Sequence, residues 1–517
     1  MTSVRRKITS LHPVVIVGSG LAGMFTALRV ADDRAVLLIT KAALGEGSTS
    51  WAQGGIAAAV GPGDTVGAHV ADTLAAGAGL SDASAARVVC ADAPATVADL
   101  AALGVAFDRS RGDLALAREG AHSLPRVVHA GGDATGRHVA EALAARVRGH
   151  EHITVLEGTR VEDLITTDSG VTGVRLAGGT VLPADCVVLA TGGSGHLFAR
   201  TTNPPGATAD GPALARRAGA ALADMEMVQF HPTALAVGPN PLALVSEAVR
   251  GAGGMLYDCH GDPVMTGVHP MGDLGPRDVV ARAVFRRARE TGRDVVMSLA
   301  HLDPARVHAR FPGVASLCAR HGIDLARDPV PVTPAAHYAM GGILTDLDGR
   351  TTVPGLWAVG ECASTGLHGA NRLASNGLLE AAALGRRAAA DVASGRGDAA
   401  PGPRAEPVSR RVGTADGVSV RTEVARIMWS GCGLERDGEG LARAADALAA
   451  LPVPADAEAG GMLEVAALVV RAAVEREESR GAHFRTDFPD TDPDHEHRTC
   501  WAGDRPHLLS TDLTEVA

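Results

Sequence analysis

The sequence predicts an α/β fold: a Rossmann-like dinucleotide-binding domain in two separated pieces, an inserted α+β capping domain and a C-terminal helical bundle. Three observations carry this. The apolar run "PVVIVG" (13–18) leads directly into a glycine fingerprint and a helix-like stretch. Two further apolar runs, "DCVVLATGG" (185–193) and "GLWAVGE" (355–361), end in glycine or a carboxylate in the same way but lie far downstream. Beyond residue 420 the pattern turns helical, in "VRTEVARIMW" (420–429), "LARAADALAAL" (441–451) and "MLEVAALVVRAAVEREESRG" (462–481).

The first run is a strand, and Gly18, Ser19, Gly20, Leu21, Ala22 and Gly23 form the turn into a helix through Val30. Glycines there allow a tight turn and close backbone approach, and the helix start faces a pyrophosphate. A tight turn without a ligand is the plain alternative. A second strand, "AVLLIT" (35–40), ends at Lys41, where an acidic residue usually reads a ribose hydroxyl. That departure disfavours nicotinamide as a co-substrate. FAD fits better, because Glu361 closes the 355–361 run with a carboxylate for the flavin side.

The expected boundaries follow from these strands. Residues 1–225 and 340–395 form the nucleotide domain, and 226–339 the inserted cap. The stretch "ASGRGDAAPGPRAEP" reads as a linker, set at 396–417, and 418–517 is the helical domain. The tail stretch "DPDHEHR" reads as a solvated segment.

Composition narrows the functional classes. The chain has 517 residues, too many for one simple core, and a net charge of −11 that argues against a nucleic-acid or anionic-membrane surface. Lys7 and Lys41 are the only lysines, so arginine does the cationic work. Seven cysteines without a CxxC pair argue against a disulfide framework or zinc site, and fit a reducing, cytoplasmic setting. No run is long enough to span a bilayer, and Arg5-Arg6-Lys7 has no signal-peptide core after it.

Histidines and arginines recur in glycine-flanked, turn-like settings: His231 in "QFHPTAL", Ser246, Glu247 and Arg250 in "SEAVRGAGG", Arg277 in "GPRDVVARA", His337 in "PAAHYAMGG", His368 and Arg372 in "GLHGANRLASNG". Singly, each is more often a satisfied structural residue. Together they suit a small acidic ligand, because a guanidinium pairs both oxygens of a carboxylate. HxxH and HExxH spacings are absent, so no metal is expected.

These stretches, with "EGSTSWAQGGIAA", "REGAHSLPRVVHAGGDATG", "LATGGSGHLFARTTNP" and "ESRGAHF", resemble in order the succinate dehydrogenase/fumarate reductase flavoprotein family, on its L-aspartate oxidase branch. The resemblance runs from about 14 to 484. It implies FAD along the 18–23 turn, Lys41, the loop Ser48, Thr49, Ser50, Trp51, Ala52, Gln53, Gly54 and Gly55, Asp210, Glu361, and Ser375, Asn376, Gly377 and Leu378. It implies that His231, Ser246, His337 and Arg372 hold the two substrate carboxylates. Ser246 stands where many relatives carry Thr. The family's catalytic arginine falls on Arg277, and its proton-relay pair on Glu247 and Arg250. Glu119 separates the branches, because aspartate carries an ammonium group that succinate lacks and a carboxylate would hold it. Ser48 stands where covalently flavinylated relatives place a histidine, which implies non-covalent FAD. The implied reaction is FAD-dependent oxidation of L-aspartate to iminoaspartate, the first step of NAD (quinolinate) biosynthesis. O2 or fumarate would be the electron acceptor, and the product would be handed to quinolinate synthase. The alternative is a succinate dehydrogenase/fumarate reductase flavoprotein subunit.

Overall fold

The computed structural model describes residues 12–395 and 397–509; residues 1–11, 396 and 510–517 of the expected blocks lie outside the described residues. At its centre is a five-stranded sheet in the order 356–358, 187–189, 14–17, 36–39, 153–156, with every neighbouring pair parallel. Val14, Val15 and Ile16 are 0% exposed, as a strand covered on both faces requires. The helices Leu21–Val30 and Asn376–Ser394 pack on each other against the sheet. The nucleotide-binding layer therefore draws one edge strand and one covering helix from residues beyond the insertion.

The chain leaves this layer after Leu222–Ala223 and returns at Gly342–Leu344, and these two strands pair antiparallel. Between them, Val228–Leu235 and Val330–Ala339 form a long antiparallel pair that opens a four-stranded sheet with Val295–Ser298 and Met255–Tyr257. The segment expected as the cap has its own apolar core, which includes Val249, Val280, Met297, Phe311 and Val332. A bulge interrupts the long pair between His231 and Ala234. It bends the strand next to the site.

Residues 397–414 form no helix or strand, and they are tied down: Ala400 N–H donates to Thr351 O, Ala405 N–H to Gly219 O and Val408 N–H to Arg217 O. Three helices follow, Gly417–Gly431, Gly438–Ala449 and Ala457–Glu475. The region is not helical throughout. Arg498–Ala502 and Arg505–Leu509 form a hairpin, and its first strand pairs with Leu222–Ala223. The tail expected to be solvated leads into this sheet. His495 O and His497 O both accept from Arg476, and Arg498 is fully buried against Asp224. Among the described residues no metal-ligand cluster occurs, and no helix is long and apolar enough to cross a membrane.

Candidate active site

One cleft of about 1490 Å³ runs from the parallel sheet to the cap. Pockets for drug-sized ligands measure roughly 300–1,000 Å³, so this larger space suits a dinucleotide and a small substrate together. Its floor is the C-terminal edge of the parallel sheet: Gly18, Lys41, Arg160, Gly192 and Gly360, each following one of the five strands, all line it. Gly18 has φ +111°, and a Cβ there would lie 2.1 Å from Ala190 O. No other residue fits that turn. The start of Leu21–Val30 opens toward the cleft, and Leu21 N–H donates to Thr49 Oγ1 at 2.9 Å. The loop Ser48–Gly55 thus docks on the fingerprint itself. It opens with one helical turn, Ser48–Trp51, and lines the cleft throughout. These features fit FAD: a glycine cradle that a Cβ would fill, a helix start, and strand ends on one edge.

Lys41 and Asp210, expected on the cofactor, both line the cleft and are paired with each other at 2.6 Å. Lys41 also holds Glu458 of the C-terminal helices at 2.7 Å, so a residue 417 positions away closes this end. Glu361 accepts from Ala339 N–H at 3.1 Å. Burial pushes its carboxyl up to about 7, against that bond and the charge of Arg372.

The cap end gathers His231, Ser246, Glu247, Arg277, His337, Arg372 and Glu119 around one space. Thr233 N–H donates to His231 Nδ1 at 3.2 Å. Burial, then the charges of Arg277, His337 and further arginines, holds His231 neutral, so its single proton sits on Nε2. That Nε2–H has no protein partner, nor do Ser246 Oγ and Arg372 Nε, and all three atoms are buried. Buried polar groups are normally bonded, and these three await acceptors. His337 is tied back, with Nδ1 on Thr202 Oγ1 at 2.8 Å and Nε2 on Arg372 Nη2 at 3.2 Å. Arg372 stacks its guanidinium 4.2 Å from the Tyr338 ring centroid. Burial and then the Arg277 charge lower Arg372 to about 10. A Cβ at Gly377 would lie 2.4 Å from Arg372 Nη1, so a side chain there would displace the guanidinium.

Arg277 donates Nε–H to Glu247 Oε2 and Nη1–H to Gln229 Oε1, each at 3.0 Å. Glu247 Oε1 is held by Arg250, which lies behind it and does not line the cleft. Glu119 is buried at the cleft wall and accepts from Ser375 Oγ–H at 2.6 Å. Burial pushes its carboxyl up, but bonding and charge from His129, with the Ser375 hydroxyl, outweigh it and hold it at about 2.

Two expected cofactor residues face elsewhere. Asn376 is 0% exposed and turned from the cleft, with Oδ1 on His69 Nε2 at 2.9 Å and Nδ2 on Thr73 Oγ1 at 3.1 Å. Gly23 packs on the strand end, where a Cβ would meet Gly18 O at 1.9 Å. His368, one of the landmark histidines, is buried on Glu380 at 2.8 Å, away from the cleft lining. Gln229 escaped the sequence reading. Its Nε2 donates to Arg372 O at 2.8 Å while its Oε1 accepts from Arg277, so it links the two arginines. Its place two residues before His231 on one strand was the available signal.

Residues 13–378 match the model of the FAD binding domain, and 452–514 that of the fumarate reductase flavoprotein C-terminal region. L-aspartate oxidase from Streptomyces coelicolor is 46% identical, covering 93% of this chain and 89% of that protein. The enzyme of the same name from Agrobacterium fabrum is 48% identical, covering 92% and 91%. A solved E. coli quinol fumarate reductase chain superposes with a TM-score of 0.88 at 31% identity, covering 97% of this chain and 96% of that one. With this similarity spanning both the cofactor edge and the cap, the chain belongs to the L-aspartate oxidase family of FAD-binding flavoproteins.

Proposed function

We propose that this chain oxidises L-aspartate to iminoaspartate with non-covalently held FAD, at the entry to NAD biosynthesis, and passes the electrons to fumarate or O2. One observation carries the reading: three unpartnered buried donors and a buried, ionised carboxylate surround a single space at the end of a dinucleotide-sized cleft. The three donors are His231 Nε2–H, Ser246 Oγ–H and Arg372 Nε–H. That set complements two carboxylates and one ammonium group. Succinate has no ammonium group to present to Glu119, and 46–48% identity to L-aspartate oxidases against 31% to the fumarate reductase chain points the same way.

Each residue has a role in this reading. His231, Ser246 and Arg372 bind the carboxylates, with His337 orienting Arg372. Glu119 binds the ammonium group, by a charge-assisted bond. Fixing both ends of the substrate makes the loss of hydride from Cα effectively unimolecular. FAD, held along the Gly18–Ala22 turn and the Ser48–Gly55 loop, would supply the acceptor for that hydride. Arg277 stabilises charge as a cation while aspartate is oxidised, and with Glu247 and Arg250 it delivers a proton to carbon in the fumarate-reducing direction. Release of the product toward quinolinate synthase completes the proposal.

Anaerobic stopped-flow mixing with L-aspartate and with succinate tests it. Aspartate should bleach the flavin and succinate should not. Acid precipitation should leave the protein colourless. Bleaching by succinate alone, with flavin retained in the acid pellet, would return the chain to the succinate dehydrogenase type.

A further inference from the structure

We propose that Glu119 and His129 form the exit for the proton shed by the substrate's ammonium group, with His129 as the outlet; this rests on the reading of the chain as an oxidase of L-aspartate. Converting a protonated amine to an iminium removes one hydride from Cα and one proton from nitrogen. The hydride's acceptor is FAD. The proton needs a protein group beside the nitrogen and a way out of a buried site.

Glu119 lines the cleft and is 2% exposed. Its Oε2 is taken by the Ser375 hydroxyl, while its Oε1 lies 3.3 Å from His129 Nε2. His129 sits behind the carboxylate and is not part of the cleft lining, yet its ring is 11% exposed. Nδ1 of that ring has no partner among the described residues and is not one of the buried unpartnered atoms. The ring therefore has one nitrogen on Glu119 and the other open to water. Other titratable neighbours are committed elsewhere. His122 Nε2 is on Ala374 O, and Arg126 is held by Asp64 and Asp72.

The transfer balances. An N–H bond of the ammonium group breaks as an O–H bond forms on Glu119. That bond breaks as N–H forms at the bare Nε2 of a neutral His129 ring, and the imidazolium so formed loses its Nδ1 proton to water. Once product has left, Nδ1 takes a proton from water and Nε2 gives one back through Glu119 to water in the cleft, which restores the starting tautomer. Glu119 is a conduit rather than a store, because one carboxylate oxygen stands 3.3 Å from His129 Nε2 while the other is held in place by the Ser375 hydroxyl. Arg277 and Arg372, which share the space, weaken the ammonium group's hold on its proton. His129 acts through Glu119 and is a relay residue, not one that touches substrate.

The test uses FAD-loaded His129→Ala and His129→Gln enzymes. Anaerobic flavin reduction by L-aspartate should slow about 100-fold in its limiting rate, with the aspartate dissociation constant unchanged. Added imidazole should restore the rate in His129→Ala. Re-oxidation of the reduced enzyme by fumarate, which has no nitrogen, should be unaffected in both. An unchanged reduction rate overturns the proposal, as does a loss that imidazole does not rescue and that fumarate turnover shares. If wild-type enzyme is not reduced by aspartate, the oxidase reading itself fails, which the variants do not decide.

Discussion

Glu247 is shared between two arginines: Arg277 donates Nε–H to its Oε2 at 3.0 Å, and Arg250 occupies its Oε1. One carboxylate therefore orients the guanidinium at the cleft and joins it to a second guanidinium in the interior. Burial lowers Arg250 below its ordinary value, against the raising charge of Glu247, and the Arg277 charge adds to the lowering. The arrangement is a line of exchangeable protons ending on the substrate side.

Glu247→Gln should break this line while keeping the shape. The amide holds one arginine at most through its oxygen and presents its NH2 to the other. Fumarate reduction should fall about 100- to 10,000-fold, the usual size of a general acid–base contribution. Aspartate-driven flavin reduction, if its proton leaves through Glu119, should fall much less. Stopped-flow rates for the two half-reactions, measured in one preparation, compare them. Equal losses would put both protons on the Arg277 line.

Ser246 makes the cleanest probe of the carboxylate clamp, because its Oγ is buried and has no protein partner. Ser246→Ala removes one donor and leaves no protein group newly unpaired. A lost bond to a charged group is worth about 1.5–3 kcal/mol, so KM for aspartate should rise roughly 10- to 100-fold by that measure. The Ser246→Thr enzyme keeps the hydroxyl and should stay near wild type. Steady-state oxygen or fumarate consumption reads both.

The parts of this site legible in the sequence were those written in local chemistry. Gly18 to Gly23 announce a strand-to-helix turn through spacing alone, and the structure supplies the contact that excludes a side chain at Gly18. His231, Ser246, Arg277, His337 and Arg372 stood out in glycine- and proline-flanked stretches read as turn-like; the structure puts His231 and His337 in the long strand pair and Arg277 at a helix start, and all five line one cleft. What escaped depends on contacts between distant positions. Glu458 reaches Lys41 from a helix that reads as ordinary amphipathic bundle. The hairpin at 498–509 pairs with Leu222–Ala223, and no local period signals that partner. Asn376 entered the expected FAD site through the family resemblance of its segment, but its side-chain amide is bonded to His69 and Thr73.

Glu361 should make stability depend on pH. Burial raises its carboxyl from 4.5 to about 7, so between those values the folded protein keeps a proton that the unfolded chain gives up. Stability then falls as pH rises through this window, because the native state binds more protons. The stabilising contribution is complete below the unfolded value and gone above about 7. Since Glu361 lines an open cleft, solvent reduces the effect to on the order of 1–2 kcal/mol. Glu361→Gln, neutral throughout, should flatten this part of the profile. Melting temperatures of cofactor-stripped wild type and variant between pH 4.5 and 7.5 provide the measurement, and parallel curves would assign the proton elsewhere.

Asp133 joins the nucleotide layer to the cap. Its carboxylate accepts from Gly313 N–H at 3.1 Å and Val314 N–H at 2.7 Å. These are the first free amides of the cap helix Pro312–Ala319, whose leading proline has no N–H and whose own N-cap, Phe311, offers no side-chain acceptor. A residue 180 positions earlier thus does the work of an N-cap. Asp133→Ala should cost about 1 kcal/mol, the ordinary value of a lost cap, and should also loosen the cap over the cleft, because the same two bonds fasten both. Gly313 and Ser316 line that cleft, so a looser cap admits water and orders substrate less well. KM for aspartate should rise and kcat fall together, whereas loss of a clamp donor such as Ser246 should act mainly on KM. Asp133→Asn keeps one acceptor and should fall between wild type and alanine. Steady-state kinetics of both variants, with protease sensitivity of the 304–320 segment as a second readout, separate a loosened cap from simple helix destabilisation. Raised cleavage with unchanged kinetics would make Asp133 a helix cap and nothing more.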